Sequence, residues 1–388
     1  MDVVPCLAAF AKNIYGNIVA QSLNDLKNTF FSPFNIYTAL GMVLCGGENN
    51  TKAELMKAMQ LPESLEHSKI HNGIREMLAN CSKADQGVEI ILGNRIFTTP
   101  SANVRNEFKE NVEKYYKAET ECVLFEKDIE NARTLINQWV SKQTKGKVQE
   151  LLSPGSLTEN TSVVVVATTY FKGAWKLAFP EINTHDSEFH KLDGSKMEVK
   201  LMFKESFFDM VELPHLKSRA IKIPFKDPMF TLLVVLPDAN DGLLSLIKSL
   251  YADNGLSYIL SSNDFDTKKL QLFLPRFKLR EGSAMSLKEI LKNMGINDAF
   301  CSSKANFSSI SNSHKLYISD VLHKAILEVD EAGAVAVAAT AVNMCSRSLR
   351  LPMEPVAEFR VDHPFFVSIL WNERVPIFMG HITVPMCD

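Results

Sequence analysis

Several features that would place this chain in a specialised class are missing from its 388 residues. No apolar run approaches the ~20 residues that a membrane-spanning helix needs. The first residues include the acidic Asp2 and reach Lys12 early, which is unlike the basic start and long apolar stretch of a secretory signal. With a net charge of −3, the sequence has no excess of basic residues of the kind that binds nucleic acid or an anionic membrane surface. We therefore expect neither kind of partner.

The sequence also lacks paired cysteines and linkers. Its seven cysteines are odd in number and contain no Cys-x-x-Cys pair. A chain this long can form a stable hydrophobic core without disulfide bonds, so we interpret most of the cysteines as free thiols. There is no internal repeat, no low-complexity tract and no stretch rich in proline, glycine or serine. We predict a single domain over residues 1–388, although length alone would suggest about two or three.

Hydrophobic periodicity predicts helices early in the chain and strands later. Charged faces with apolar positions at helical spacing predict helices at 4–20, 104–117 and 130–143. Asp193-Gly194 is a hairpin signal. Apolar or alternating runs predict strands at 163–166, 230–236, 270–279, 361–371 and 376–384. This arrangement is typical of an α+β fold and not of alternating βαβ units.

A search for catalytic motifs finds none. The sequence has no Gly-x-Ser-x-Gly elbow, no Walker loop and no dinucleotide fingerprint. His67 and His71 have the four-residue spacing of a helical metal pair, but Ser68 stands where a metalloprotease has glutamate. A solvated helix face is the preferred interpretation of the two histidines. We expect no enzyme activity, no cofactor and no metal.

One segment near the C-terminus is unusual in composition. Residues 334–342 carry no charge and only small or β-branched side chains, and two arginines follow at 347 and 350. Alanine favours a helix, whereas the interleaved valines favour a strand, so composition alone leaves both open. As a strand, the segment would present one face of very small side chains, which are Ala334, Ala336, Ala338 and Thr340.

Short motifs along nearly the whole chain resemble those of the serpins, a family of serine protease inhibitors. Each motif is weak alone, but their shared order makes the resemblance specific. The motifs are Phe30-Phe31-Ser32-Pro33, Asn94-Arg95-Ile96-Phe97, Asn137-Gln138-Trp139-Val140, Tyr170-Phe171-Lys172-Gly173-Ala174-Trp175, Leu274-Pro275-Arg276-Phe277, Asn306-Phe307-Ser308, His323-Lys324-Ala325, Asp362-His363-Pro364-Phe365-Phe366 and Phe378-Met379-Gly380.

The resemblance implies an α+β serpin fold with three β-sheets, eight to nine α-helices and an exposed reactive centre loop at about 331–363. In the family, a target protease attacks this loop as a substrate and forms an acyl-enzyme on its own serine. The cut loop then inserts into the central sheet and drags the protease across the molecule. The implied partner is a trypsin-like serine protease in a covalent complex, and we expect a monomer.

Family spacing places the cut after Arg347. The hinge glutamate stands seventeenth before the cut, and counting forward from Glu331 gives Arg347 before the bond and Ser348 after it. Arginine fits a trypsin-like pocket, which has an aspartate at its base. Arg350 is the rival, but it would lengthen the inserting arm by three residues. The hinge implied by the resemblance comprises Glu331, Gly333, Ala334, Val335, Ala336, Val337, Ala338, Ala339 and Thr340.

The resemblance implies two supporting clusters. At the top of the central sheet, where insertion begins, Glu331 and Arg276 resemble a family ion pair and Trp175 resembles a family tryptophan. A buried polar cluster under the sheet is implied for Ser32 and His323.

This sequence departs from the family pattern at three places. Asn35 stands at a serine position of the polar cluster and Ala167 at its asparagine position, so we expect Asn35 to supply the amide. In the hinge, Ala334 replaces the usual threonine or serine and Val335 a common glutamate. The stretch from 347 to 364 is also several residues longer than in typical relatives. The two hinge changes are compatible with insertion, and the longer stretch leaves the conformation of the distal loop open.

Two other functions are compatible with the sequence. A non-inhibitory serpin would act as a carrier or chaperone, but such relatives commonly lack an insertable hinge. A weak glycosaminoglycan-binding module would use Lys109, Lys114 and Lys117, whose charge is diluted by Glu107, Glu110 and Glu113.

Without a visible signal peptide, the chain resembles intracellular-type serpins. Because arginine-directed inhibitors have many extracellular targets, we expect an extracellular location reached by non-classical export.

Overall fold

The computed structural model describes residues 3–23, 25–83, 87–279, 284–312, 316–332 and 356–386. Nine α-helices lie within these residues: α1 (Val4–Ala20), α2 (Pro33–Leu44), α3 (Asn49–Ala58), α4 (His67–Cys81), α5 (Asn106–Tyr116), α6 (Ile129–Gln143), α7 (Leu243–Ala252), α8 (Gly255–Ser261) and α9 (Lys288–Asn293). The strands are β1 (Thr29–Phe31), β2 (Val88–Thr98), β3 (Glu119–Cys122), β4 (Val163–Gly173), β5 (His185–His190), β6 (Lys196–Leu213), β7 (Ser218–Pro224), β8 (Phe230–Pro237), β9 (Asp266–Pro275), β10 (Phe277–Leu279), β11 (Met285–Ser286), β12 (Ile318–Val329), β13 (Ala357–Arg360), β14 (Phe365–Trp371) and β15 (Val375–Ile382).

Local sequence signals account for the helix ends. Pro5 lies in the first turn of α1, where its missing N–H would have no helical partner. Helix α2 begins after Ser32, whose Oγ accepts a hydrogen bond from the backbone N–H of Asn35 at 3.1 Å. Asp128 caps α6 in the same way, accepting from the N–H of Asn131 at 3.0 Å.

The six-stranded sheet has the order β10-β12-β4-β2-β3, with β11 paired to β12. Its two central strands, β12 and β4, run parallel, whereas β4 and β2 run antiparallel. Strand β4 is buried on both faces. Val163 and Val165 face the main core, and Val164 and Val166 face the inner side of α6.

The nine-stranded sheet has the order β1-β15-β14-β8-β7-β6-β9-β13, with β5 paired to β6. Three separate sheets were expected, but the described residues form two. The physical reason is the length of β6, which has 18 residues. Its first part pairs with β5, its middle with β9 and its last part with β7, so one strand joins what would otherwise be two sheets. The α+β class itself is confirmed.

The predicted strand 270–279 is divided between the two sheets. Strand β9 ends at Pro275 in the nine-stranded sheet, and β10 begins at Phe277 in the six-stranded sheet. Proline has no N–H for a ladder, so a strand readily changes direction there. Arg276 lies at this junction, and its N–H donates to the carbonyl of Lys200 at 2.8 Å.

Candidate functional site

The site is organised around the seam, which we define as the contact between β4 and β12. The two strands pair from Ile318 opposite Val163 to Leu327 opposite Phe171. Past Val329 the chain leaves the sheet through residues 330–332. A segment that turned back at this point would run antiparallel to β12, and because β4 is parallel to β12, antiparallel to β4 as well.

The chain leaves the seam at a corner held by Glu331. This residue is only 7% exposed. Its Oε2 lies 3.8 Å from Nη1 of Arg276, and its Oε1 accepts from Oγ1 of Thr184 at 2.9 Å. Its backbone carbonyl accepts from the N–H of Phe179 at 2.9 Å. The structure therefore brings Arg276 and Glu331 together, and both the side chain and the backbone of Glu331, the first residue of the predicted hinge, are anchored.

Trp175 packs at the same corner. Its Nε1 donates to the carbonyl of Asp330 at 2.7 Å, and its ring stacks on Phe225 with centroids 4.7 Å apart. A buried indole N–H needs such an acceptor. Trp175 thus ties the end of β12 to the segment that follows β4.

Lys172 crosses the seam, and Lys147 reaches the same glutamate from the segment after α6. Nζ of Lys172, on β4, lies 3.6 Å from Oε2 of Glu328 and 3.6 Å from Oδ2 of Asp330. Nζ of Lys147, which follows α6, lies 3.8 Å from Oε1 of Glu328. A strand inserted here would move β4 and β12 apart by one strand spacing, ~4.8 Å, and separate Lys172 from Glu328. Both lysines stand in motifs that resemble the family, Lys172 in 170–175 and Lys147 in 144–147, but those motifs give no indication of the ion pairs.

A polar cluster lies under the lower part of the seam. His323, on β12, accepts through Nε2 from the backbone N–H of Ser32 at 2.9 Å and donates from Nδ1 to the carbonyl of Ala167 at 2.8 Å. Oγ of Ser32 donates to the carbonyl of Ile377 at 2.6 Å. These bonds connect α2, β4, β12 and β15.

The amide expected from Asn35 is present and hydrogen-bonded. Its Nδ2 donates to the carbonyl of Thr168 at 3.2 Å, and its Oδ1 accepts from Nδ2 of Asn94 at 2.6 Å. Asn94, on β2, is 7% exposed and completes the cluster. In the sequence, Asn94 is recognisable only as the first residue of a motif that resembles a family strand. Its role in the cluster is not visible there, because β2 and α2 meet only in the folded chain.

His323 is held in one protonation state. Because Nε2 accepts from a backbone N–H, the ring must be neutral with its proton on Nδ1. Complete burial lowers the pKa of His323 to about 4, and the bond to the Ala167 carbonyl offsets only part of this effect.

Acidification is expected to destabilise the intact protein. Unfolded histidine has a pKa of ~6.5, so below that pH the unfolded chain binds a proton that folded His323 does not bind until about pH 4. The contribution of His323 to the free energy of unfolding is therefore complete above pH 6.5. Below it, each such histidine lowers that free energy by up to ~1.4 kcal/mol per pH unit. The pKa of His71 is lowered to about 3 and that of His381 to about 4, so both act in the same direction.

Urea midpoints measured from pH 7.5 to pH 4 test this expectation. The variant His323→Gln keeps a side-chain acceptor for Ser32 but does not titrate, so its stability should depend less steeply on pH. The exposed His215 offers a matched control as His215→Gln, which should leave the profile unchanged. An equally steep profile in His323→Gln would show that His323 does not contribute.

Helix α6 covers the face of the seam opposite the main core. Ala132, Ile136 and Val140 recur every four residues and form its buried stripe. They share one apolar cluster with residues from both seam strands, which are Val164, Val166, Tyr170, Leu322 and Ile326. A strand entering the lower seam would therefore lie against this apolar cluster.

The interpretation of His67 and His71 as a solvated helix face is wrong for His71. This side chain is 2% exposed and contacts Sγ of Cys45 at 3.5 Å and Oη of Tyr116. Helix α4 is packed against α2 and α5, so this turn faces inward.

Over the described part of the chain, no three histidine, cysteine or acidic side chains are arranged to hold a metal ion. No helix in that part is both long and apolar enough to cross a bilayer.

The remaining predicted site residues fall outside the described residues. They are Gly333, Ala334, Val335, Ala336, Val337, Ala338, Ala339, Thr340, Arg347, Ser348 and Arg350. Their roles stay predictions, as does the role of Arg276, Trp175, Ser32, Asn35 and His323 in insertion.

Comparison with known proteins identifies the fold. The family profile described as Serpin (serine protease inhibitor) matches residues 6–385. Serpin B8 of Homo sapiens is 34% identical over 385 residues, covering 99% of this chain and 100% of its own. Leukocyte elastase inhibitor A of Mus musculus is 33% identical, covering 97% and 98%. The crystal structure of uncleaved ovalbumin matches with a TM-score of 0.87 at 28% identity, covering 99% and 100%. The chain therefore belongs to the serpin (serine protease inhibitor) family, and it is not an enzyme.

Proposed function

We propose that this chain is a suicide-substrate inhibitor of trypsin-like serine proteases, cleaved between Arg347 and Ser348. The protease serine Oγ attacks the carbonyl carbon of Arg347, and the amine of Ser348 leaves with a proton. An ester then joins the protease to Arg347. The arm, which we define as residues 332–347, inserts into the seam before water can release it.

The parallel pairing of β4 and β12 is the observation that carries this proposal. A middle strand antiparallel to both would replace one parallel ladder by two antiparallel ladders, so the number of backbone hydrogen bonds would rise. Strand β12 has 12 residues, a length of ~40 Å. Residues 334–345 of the arm match that length.

The composition of the arm supports the same function. Residues 332–346 contain no charged side chain. A charge carried into the seam would be buried under α6 or against the main core, at a cost of several kcal/mol unless it were paired. Because insertion adds hydrogen bonds and buries apolar surface, the intact form would be held by a kinetic barrier and not by equilibrium.

A denaturing gel tests the proposal most directly. Mixing the 43.5 kDa chain with trypsin is expected to give a band of the summed mass that survives boiling in detergent. Trypsin with its serine chemically blocked is the matched control and should give no such band. If only the cleaved chain appears, the protein is a substrate and the inhibitory proposal fails. The carrier or chaperone function would then be preferred.

The glycosaminoglycan alternative gains no support from α5. Lys109, Lys114 and Lys117 are exposed, but Glu107, Glu110 and Glu113 are exposed beside them. Alternating charges of opposite sign do not form the basic patch that a polyanion requires. An extracellular location and a monomeric state stay predictions, since they rest on the choice of protease and on the family alone.

A further inference from the structure

One lysine of the nine-stranded sheet is buried beneath the segment that links β4 to β5. Lys204, on β6, is only 8% exposed. It lies on the same face of the strand as the core residues Met202 and Phe208, because side chains alternate along a strand. Lysine is almost never buried to this extent unless it is paired. The partners of this amine therefore decide what it can do.

The amine of Lys204 contacts one polar group and two aromatic rings. Its Nζ donates to the backbone carbonyl of Leu177. The same atom lies 5.0 Å from the ring centroid of Phe179 and 5.6 Å from that of Phe208. An ammonium group has three N–H donors and the site offers one hydrogen-bond acceptor, so the charged form is incompletely satisfied.

The acidic side chains nearest in the fold are engaged elsewhere. Among the residues that the structure describes, no carboxylate forms an ion pair with Lys204. Glu205 follows it in β6 but faces the other side of the sheet, where Oε1 lies 2.6 Å from Nζ of Lys269. Glu331, at the neighbouring corner, is paired with Arg276. The amine is therefore buried without a counter-charge.

This environment makes the amine a nucleophile near neutral pH. Burial lowers the pKa of Lys204 to about 8, because the charged form loses its hydration without gaining an anion. At pH 7, ~10% of such an amine is neutral, compared with ~0.04% of an ordinary lysine, a difference of ~200-fold.

Two exposed apolar side chains lie on the segment that covers the amine. Leu177, whose carbonyl accepts the bond from Lys204, has a side chain that is 57% exposed. Ile182 lies in the short turn 181–183, which contacts β6, and is 93% exposed. An apolar chain attached to the amine would cover these side chains and remove its own surface from water.

We propose that Lys204 is a covalent binding site for apolar aldehydes, which its amine holds as an imine. The nitrogen lone pair attacks the aldehyde carbonyl carbon, both amine protons leave with the aldehyde oxygen as water, and a C=N bond forms. A proton from solvent then gives an iminium ion. This ion keeps one N–H for the carbonyl of Leu177 and a positive charge for the two rings, so the contacts of the original amine are retained. The site goes beyond the proposed inhibitory function and does not depend on it.

Reductive trapping with hexanal tests this site in the full-length chain. Cyanoborohydride at pH 7 converts each imine into a stable secondary amine, and peptide mapping by mass spectrometry gives the rate at each lysine. The exposed Lys248 of α7 is the internal reference. We expect Lys204 to be alkylated at least about ten-fold faster than Lys248, because the larger neutral fraction outweighs the loss of access on burial. Alkylation of Lys204 at the rate of Lys248 or more slowly would overturn the proposal.

Two controls separate the folded site from the local sequence. In urea above the unfolding midpoint, the rate at Lys204 should fall to that of Lys248, since the rings and the buried environment are gone. An advantage that survives unfolding would overturn the buried site. The variant Lys204→Arg keeps a cation with N–H donors but forms no imine, so a brief exposure should leave it largely unmodified. Equal total uptake of hexanal by this variant would also contradict the assignment.

The preference for an apolar aldehyde has its own test. In the double variant Leu177→Ser and Ile182→Ser, trapping of hexanal at Lys204 should slow by about three-fold or more, because the apolar chain loses its contacts. Trapping of acetaldehyde, which has no such chain, should be unchanged. Both replaced side chains are exposed, so the fold should be kept. An unchanged rate with hexanal would show that these side chains do not bind the aldehyde.

Discussion

Replacing Ala334 with arginine is expected to convert the inhibitor into a substrate. Ala334 would enter the seam first, opposite Val329, which is 2% exposed and faces the main core. An unpaired guanidinium there costs several kcal/mol, whereas a tenfold change in partition needs only ~1.4 kcal/mol. The protease should therefore complete hydrolysis before the arm inserts. The number of inhibitor molecules consumed per trypsin molecule inactivated should rise at least about ten-fold.

Ala334→Ser is the matched control for this experiment. Serine is small and uncharged, and this position in the family usually carries threonine or serine, so the control should inhibit as the unmodified chain does. Both variants should be cleaved at the same bond, which mass spectrometry of the fragments can verify. An unchanged stoichiometry in Ala334→Arg would contradict insertion of this segment.

Changing Arg347 to glutamate is expected to reduce the rate of trypsin inhibition by about 10³-fold or more. The guanidinium of Arg347 would pair with the aspartate at the base of the trypsin pocket, and glutamate would place like charges in contact. Juxtaposed like charges cost several kcal/mol at an interface, and ~4 kcal/mol corresponds to a 10³-fold change. Second-order rate constants for inactivation of trypsin measure the effect.

The rival bond after Arg350 provides the control. The variant Arg350→Gln should inhibit trypsin at the unmodified rate, because the cut at Arg347 does not use it. A cut after Arg350 would add three residues to the arm, or ~10 Å of slack, and would favour release. If Arg350→Gln loses inhibition while Arg347→Glu retains it, the assigned bond is wrong.

Elements with a strong local signal were predictable from sequence. Helix α1 spans the predicted residues 4–20, because a proline starts it and apolar residues recur on one face. The hairpin between β5 and β6 turns at Asp193-Gly194, where Gly194 takes a φ of +80° that suits glycine. In each case the residues that decide the structure lie within a few positions of one another.

Elements decided by distant partners were predicted less well. The run 361–371 became a strand only from Phe365, because the backbone N–H of Val361 instead donates to the carbonyl of Phe273 at 2.9 Å and Pro364 has no N–H for a ladder. The packing of His71 against Cys45 and Tyr116 also joins separate helices. No periodicity within α4 distinguishes a buried histidine turn from a solvated one.

By itself the sequence determined the composition of the arm, its uncharged run up to Arg347 and the family to which the chain belongs. Those properties are fixed by residue identity and by order along the chain. Only the tertiary structure decided that β4 and β12 meet in parallel and that Lys172 crosses to Glu328. The partners of these contacts are more than 150 residues apart, as Phe171 and Leu327 are, so only packing of the whole chain brings them together.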